Sequence, residues 1–298
     1  MNISGKTRIC ALIGDPVEHT LSPLIHNNLA ELCGIDLTYV PMRVAADRVG
    51  SAVRGAYDLG ILGLNVTVPH KIAVMDVLAG IDERAAAIGA VNTLVRSDNG
   101  YIGYNTDYIG LKRALADDDI SLAGRDAVIL GAGGAARAAA FLCAFEHAGS
   151  VHILNRSVDK AEALCRDVNE YVRNNDPVGN AGLCKPLALA DHASVPGRDL
   201  IVIQASSVGL FPNINDVIID DESFYTRISY GYDLVYNPAD TRFMRLVKDA
   251  GGRAEGGLKM LLYQGICGFE LWNRITVSQD AIDQVLDKLS SAARPEKK

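Results

Sequence analysis

The chain has 298 residues, 49% hydrophobic and 22% charged, enough for one large or two ordinary globular domains with a real core. Its net charge of −7 excludes the broad basic surface that nucleic-acid binding requires. No run approaches the roughly 18 apolar residues that span a bilayer, and the first ten residues lack an apolar signal core, so a cytoplasmic protein without membrane segments is expected.

In chain order, Arg8 to Ile13 reads as a strand and Ser22 to Cys33 as a helix closed by Gly34. A strand follows over Leu37 to Val44, a helix over Ala46 to Tyr57, and a buried strand over Ile61 to Val68 that Pro69 stops. His70 to Leu78 is predicted helical. Short strands near Ala90 to Val95 and Tyr101 to Tyr104 lead into a helix from Tyr108 to Ala116. After a polar loop to Arg125 the pattern restarts: strand Asp126 to Leu130, alanine-rich helix Ala135 to His147, strand Ser150 to Leu154, helix Asp159 to Arg173. Asn174 to Gly182 reads as a surface loop. Leu200 to Ala205 and Tyr230 to Val235 are further strands, and Arg242 to Ala250 is a helix ended by Gly251. Helices over Gly257 to Trp272 and Ser278 to Leu289 precede a polar tail. This alternation predicts an α/β protein with parallel sheets, in two units that meet near residue 107.

The run Gly131-Ala132-Gly133-Gly134-Ala135-Ala136 directly follows the apolar strand residues Val128-Ile129-Leu130 and opens a helix of small residues. That context fits a turn seating a dinucleotide pyrophosphate on a helix N-terminus: Gly131 for the tight turn, Gly133 for close backbone approach. A purely structural strand-to-helix turn is the alternative. About 20 residues on, where NAD-binding chains place a carboxylate, this chain has Asn155-Arg156-Ser157. Arg156, backed by Lys160 one turn later, is suited to a 2′-phosphate, so NADP is expected over NAD. A solvated strand-end arginine is the alternative. The six cysteines (Cys10, Cys33, Cys143, Cys165, Cys184, Cys267) form no C-x-x-C pair and no histidine stands at ligand spacing, so reduced thiols and no metal site are expected.

Further segments carry a family resemblance. Gly14-Asp-Pro-Val-Glu-His-Thr-Leu-Ser-Pro-Leu-Ile-His-Asn27, Asn65-Val-Thr-Val-Pro-His-Lys71, Gly89-Ala-Val-Asn-Thr93 and Asn105-Thr-Asp107 resemble the shikimate dehydrogenase family. Asn155-Arg-Ser157, Asp233-Leu-Val-Tyr-Asn-Pro238 and Gly257-Leu-Lys-Met-Leu-Leu-Tyr-Gln264 continue the match through nearly the whole chain. The resemblance implies an N-terminal α/β substrate-binding catalytic domain over residues 1–106, joined by C-terminal helices 264–298. It implies a Rossmann-type doubly wound NADP-binding domain over 107–263. The implied reaction is reversible hydride transfer between NADP(H) and 3-dehydroshikimate or shikimate, in a cleft between the domains.

By the same resemblance Lys71 and Asp107 are the catalytic pair. Thr20 and Ser22 hold the substrate carboxylate, with Thr20 departing from the commoner serine. Asn65, Thr67, Asn92 and Gln264 contact ring hydroxyls, and Tyr236 is a candidate near the nicotinamide. Gly131, Ala132, Gly133, Gly134, Ala135, Asn155, Arg156, Ser157, Lys160 and Gly257 are expected at the cofactor. Read singly, Asp107 also suits the N-cap of the helix at Tyr108, and Ser22 before Pro23 suits an N-cap with proline at N1. Which of Lys71 and Asp107 moves the proton is open. Gln204 stands where the family usually has asparagine, which leaves the geometry of the cofactor loop open. A quinate/shikimate dehydrogenase using NAD or NADP is the alternative enzyme, and a non-catalytic ligand sensor is the alternative of another class. A homodimer is compatible with the sequence.

Overall fold

The computed structural model describes residues 3–176 and 179–293. The chain divides into two compact units, one running to Gly110 and adding Leu261–Ser291, the other Leu111–Met260. In chain order the first contains β1 (Arg8–Gly14), α1 (Ser22–Leu32), β2 (Leu37–Arg43), α2 (Val49–Asp58), β3 (Gly63–Val66), β4 (Gly80–Ile81), α3 (Glu83–Ile88), β5 (Thr93–Ser97) and β6 (Gly100–Tyr104). Helix α4 (Asp107–Asp117) leads into β7 (Asp126–Leu130), α5 (Gly134–Phe145), β8 (Ser150–Asn155), α6 (Val158–Asn175), β9 (Cys184–Ala188) and β10 (Leu200–Gln204). The second unit continues with α7 (Glu222–Tyr225), β11 (Ile228–Asp233), α8 (Arg242–Asp249) and β12 (Arg253–Gly256). Two last helices follow, α9 (Leu258–Asn273) and α10 (Gln279–Ala292).

The first unit's sheet has the order β2-β1-β3-β5-β6-β4. It is mixed rather than wholly parallel, because β5 pairs antiparallel with both β3 and β6. The reason is local: β5 and β6 are joined by the tight turn at Asp98-Asn99, which only an antiparallel pair accepts. The second sheet is wholly parallel, in the order β12-β11-β10-β7-β8-β9. Counted within its own unit this is the doubly wound dinucleotide-binding order, with the reversal of direction at β7.

Several boundaries correct the sequence expectations. The strand expected over Ile61 to Val68 is ladder-paired only over Gly63–Val66, and the helix expected over His70 to Leu78 is a 3-10 turn over Ala73–Val77. Ser22 does not cap α1; Leu21 is the N-cap, with no side-chain bond, and Pro23 lies inside the first turn. Asp107 is the first residue of α4, not the residue before it. Helix α3 escapes the sequence pattern because six residues are too few for a periodic signal; Asp82 caps it through bonds from the Arg84 and Ala85 amides at 3.1 and 3.2 Å. Strand β9 escapes it because Pro186 argues against a strand interior, and β9 is a sheet edge where proline is tolerated. Of the expected 174–182 loop, Pro177 and Val178 lie outside the described residues, as does the end of the expected tail from residue 294.

Two sheet edges are closed by the same device. On β2, Asn27 of α1 accepts from the Tyr39 amide at 2.8 Å and donates to its carbonyl at 3.0 Å, and Pro41 two residues on has no amide to offer. On β9, Asn169 of α6 accepts from the Cys184 amide at 2.8 Å and donates to its carbonyl at 2.9 Å, again with proline two residues on. A side-chain amide thus imitates the missing neighbouring strand.

Helix α9 lies close on the first sheet. A Cβ at Gly63 would fall 2.1 Å from Trp272 Nε1, and that nitrogen donates to the Leu94 carbonyl at 2.9 Å. No helix among the described residues is long and apolar enough to cross a membrane. All six cysteines are free, and every one but Cys33 is buried.

Candidate active site

In the first unit the polar residues of the N-terminal motifs converge on one hydrogen-bonded chain. Lys71, beyond the end of β3 and its Pro69 stop, places Nζ 2.6 Å from Asp107 Oδ2 at the start of α4. Both side chains are mostly buried, 24% and 13% exposed, so the pair is shielded without being sealed. Asn92, just before β5, donates from Nδ2 to Asp107 Oδ1 at 2.8 Å and to Thr106 Oγ1 at 3.1 Å. Its Oδ1 accepts the Thr106 amide at 2.7 Å and the Thr93 hydroxyl at 3.1 Å. Both ends of the Asn92 amide thus have protein partners, the Asp107 carboxylate among them. Asn105 adds a bond from the Asp107 amide at 3.0 Å, so backbone and side chain of Asp107 are each fixed by an asparagine.

Asn65 lies deeper, on β3. Its Nδ2 donates to Thr93 Oγ1 at 3.1 Å and to the Asn92 carbonyl at 3.4 Å, and its Oδ1 accepts the Tyr39 hydroxyl at 2.7 Å. What Asn65 has left for a ligand is acceptor capacity on Oδ1. Burial pushes the Tyr39 hydroxyl pKa up, and the nearby Ser22 side chain opposes that shift. Ser22 in turn accepts from Thr20 Oγ1 at 3.1 Å, and its own amide donates back to that oxygen at 3.2 Å. Thr20 and Ser22 thus form a pair of hydroxyls at the entry to α1, where partial positive charge favours an anion. The Thr67 methyl occupies the place where a Cβ on Gly14 would stand, 2.3 Å away, which explains the glycine. Gln264, on α9, donates to the Leu261 carbonyl at 2.8 Å.

Tyr39, Thr93, Thr106 and Asn105 join the site without having been singled out from sequence. Three of the four lie inside the motifs that carry the resemblance, so the available signal was adjacency to Asn92 and Asp107. Tyr39 had no such signal. His26 is wholly buried, stacked on Tyr39 with ring centroids 4.2 Å apart, and neither ring nitrogen has a hydrogen-bond partner. Burial drives its pKa from 6.5 down to about 3, opposed by the Asn65 amide.

The second unit carries the glycine turn. Gly131 has φ +122°, and a Cβ there would lie 2.9 Å from the Ala205 carbonyl, so only glycine fits between β7 and β10. Gly133 and Gly134 differ: a Cβ at either would meet nothing within 4 Å. Their bareness serves no internal packing, and α5 begins there with no side-chain cap on its amides. Open space beside an uncapped helix N-terminus is what a pyrophosphate needs. Ala132 and Ala135 complete the turn, half-buried. Gly257, expected at the cofactor, has a packing reason of its own, since a Cβ would fall 2.3 Å from the Leu234 carbonyl.

At the end of β8, Asn155 Nδ2 donates to the Ser157 carbonyl at 2.9 Å and closes the turn that presents Arg156, Ser157 and Lys160 to solvent. Asn155 and Arg156 line an open groove of about 640 Å³ whose other walls include Leu189, Ser206, Ser207 and Arg242. Arg242, unnoticed in the sequence, is tied to Asp220 at 2.6 Å. Gln204 organises the loop that forms this wall: its Oε1 accepts the Ser206 amide at 2.7 Å and hydroxyl at 2.8 Å, while Nε2 donates to the Val208 carbonyl at 2.9 Å. The longer side chain therefore holds the cofactor-side loop. Gln204 also reaches Asp233 Oδ1 at 3.3 Å. Burial raises the Asp233 pKa to about 6 against bonds from Thr241 and the Val235 amide. Tyr236, half-buried, follows β11 in this unit, and burial raises its pKa.

Comparison with known proteins agrees with both halves. Residues 12–94 match the model of the shikimate dehydrogenase substrate binding domain. The chain is 40% identical over 290 residues to the shikimate dehydrogenase (NADP(+)) of Desulforamulus reducens, covering 96% of this chain and 97% of that one. A shikimate dehydrogenase crystallised in complex with NADP+ aligns over 97% of this chain and 98% of its own, with 35% identity and a TM-score of 0.86. Shikimate 5-dehydrogenase from Thermus thermophilus, in complex with NADP(H) and shikimate, aligns over 95% of this chain and all of its own (100%), with 28% identity and a TM-score of 0.81.

Proposed function

The chain belongs to the shikimate dehydrogenase family, and we propose that it catalyses the reversible, NADP-dependent reduction of 3-dehydroshikimate to shikimate. The carrying observation is the Lys71–Asp107 pair, at 2.6 Å and mostly buried, with the carboxylate oriented by Asn92. Reduction of a ketone needs a proton delivered to the carbonyl oxygen as the carbon is reduced. Asp107 accepts from Lys71 and from Asn92, so Lys71 is the member of the pair that carries a transferable proton. Lys71 gives that proton to the nascent alkoxide in reduction and takes it back in oxidation. Asp107 holds the ammonium in place and accepts from a ring hydroxyl.

Asn65, Thr67 and Gln264 are proposed to contact the ring hydroxyls, and Thr20 with Ser22 to receive the carboxylate. Asn92 contributes through Asp107, and Tyr236 is proposed near the nicotinamide. NADP, when bound, supplies or accepts the hydride. The residues suited to hold it are Gly131 to Ala135 at the pyrophosphate, with Gly133 and Gly134 free of packing duties. Asn155, Arg156, Ser157 and Lys160 are proposed at the 2′-phosphate, and Gly257, which follows β12 and packs against the Leu234 carbonyl, is proposed at the cofactor. By this reading the first unit, with its C-terminal helices, is the substrate-binding catalytic domain, and the second is the dinucleotide-binding domain. A cytoplasmic enzyme acting as a monomer or homodimer completes the reading.

Purified protein is to be assayed with shikimate and with quinate, each with NADP+ and NAD+. Turnover of shikimate with NADP+ is expected, and Lys71→Ala is expected to lower kcat by roughly 10²–10⁴-fold, the range of a lost general acid. Absence of shikimate turnover refutes the activity. Near-normal kcat in the variant removes Lys71 from the proton step.

A further inference from the structure

The hydroxyl of Thr93 stands between the two asparagines of the site, and backbone groups fix the orientation of both. Asn65 must turn its Nδ2 towards the Asn92 carbonyl, because that carbonyl only accepts. Asn92 must turn its Oδ1 towards the Thr106 amide, because that amide only donates. Neither side-chain amide can flip without setting like groups against one another. Thr93 Oγ1 lies 3.1 Å from Asn65 Nδ2 and 3.1 Å from Asn92 Oδ1. It therefore accepts from the first and can donate to the second, while Thr106 Oγ1, 3.2 Å from both Thr93 Oγ1 and Asn92 Oδ1, completes the same hydroxyl cluster.

We propose that Thr93 is a positioning residue whose hydroxyl helps couple Asn65 to the Asn92–Asp107–Lys71 relay. The proposal rests on the shikimate dehydrogenase reading of the Lys71 site. Thr93 is completely buried, and a Cβ on Gly268 of α9 would lie 3.6 Å from its methyl group, so no solvent is at hand to replace the hydroxyl. Thr93 touches neither reacting atom. Its effect passes on one side to the Asn65 acceptor and on the other to the Asp107 carboxylate, so it should act on shikimate KM and on kcat together.

Two substitutions separate this from a packing role. Thr93→Val keeps the β-branched shape and removes the hydroxyl; Thr93→Ser keeps the hydroxyl and removes the methyl. Steady-state kinetics for shikimate and NADP+, and calorimetric titration of shikimate without cofactor, are measured on wild type and both variants. Thr93→Val is expected to lower kcat/KM for shikimate about tenfold or more, the scale of one lost buried hydrogen bond. It is also expected to weaken shikimate binding and leave KM for NADP+ unchanged. Thr93→Ser is expected to restore most of the loss. Wild-type behaviour in Thr93→Val overturns the proposal, as do equal losses in both variants. A wild type that binds shikimate without turning it over refutes the activity, and the titrations alone then decide on Thr93. A wild type that neither binds nor turns over shikimate overturns both.

Discussion

Replacing His26 by phenylalanine should flatten the acid side of the first unit's stability curve. His26 is fully buried between Tyr39 and Trp272, with ring centroids 4.2 and 5.0 Å away, and both its nitrogens lack partners. Its pKa falls from 6.5 to about 3 because the imidazolium would have to form in this apolar stack. The folded state thus binds fewer protons than the unfolded one, so stability falls as the pH drops from about 6.5 towards 3. At about 1.4 kcal/mol per unit, the whole shift corresponds to roughly 5 kcal/mol, of which about 3 kcal/mol is lost by about pH 4.5. Trp272 is the chain's one tryptophan and lies in the same unit, so its fluorescence in urea titrations reports unfolding where His26 sits. The difference between wild type and His26→Phe, followed from neutral pH to about pH 4.5, isolates this residue from the other titrating groups. Some constant offset is expected, because phenylalanine overfills the site by about 1–3 kcal/mol while removing two unsatisfied nitrogens. Parallel stability curves over that range would show that His26 charges freely in the folded state and would refute the reasoning.

The other predictions concern the cofactor unit. Gly133→Ala should raise KM for NADP+ without lowering Tm, since the new methyl enters open space at an ordinary backbone angle. Gly257→Ala should do the reverse first, destabilising the unit by roughly 1–3 kcal/mol because its Cβ would collide with the Leu234 carbonyl. Thermal melts paired with cofactor titrations check both, and a Tm loss in Gly133→Ala equal to that in Gly257→Ala refutes the distinction. Arg156→Ala should weaken NADP+ by about 1–3 kcal/mol and leave NAD+ nearly unchanged, as expected for a charged hydrogen bond to a 2′-phosphate. Equal losses for the two cofactors would mean that Arg156 does not read the phosphate.

The glycine turn and the alternation of strand and helix were legible in the linear sequence because both are local. A strand, a tight turn and a helix start must be contiguous to seat a pyrophosphate, so they leave a contiguous trace. The doubly wound second unit followed from that trace, and Lys71 and Asp107 from the motifs around them. Short elements escaped: α3 has one turn and a half, and β9 carries a proline that a strand interior forbids but an edge accepts.

Only the tertiary structure decided how the site's polar groups are spent. Asn92 reads in sequence as a ligand contact, and both ends of its amide have protein partners in Thr106, Thr93 and Asp107, which come from two segments more than ten residues apart. Gly133 and Gly257 read alike, yet one faces open space and the other a carbonyl. His26 gives no hint in sequence that its nitrogens have no partner. Residue types set what a side chain can donate, accept or pack against, and that much the chain carries in its letters. Which of those capacities are already taken depends on neighbours brought from distant positions, and only the fold supplies them.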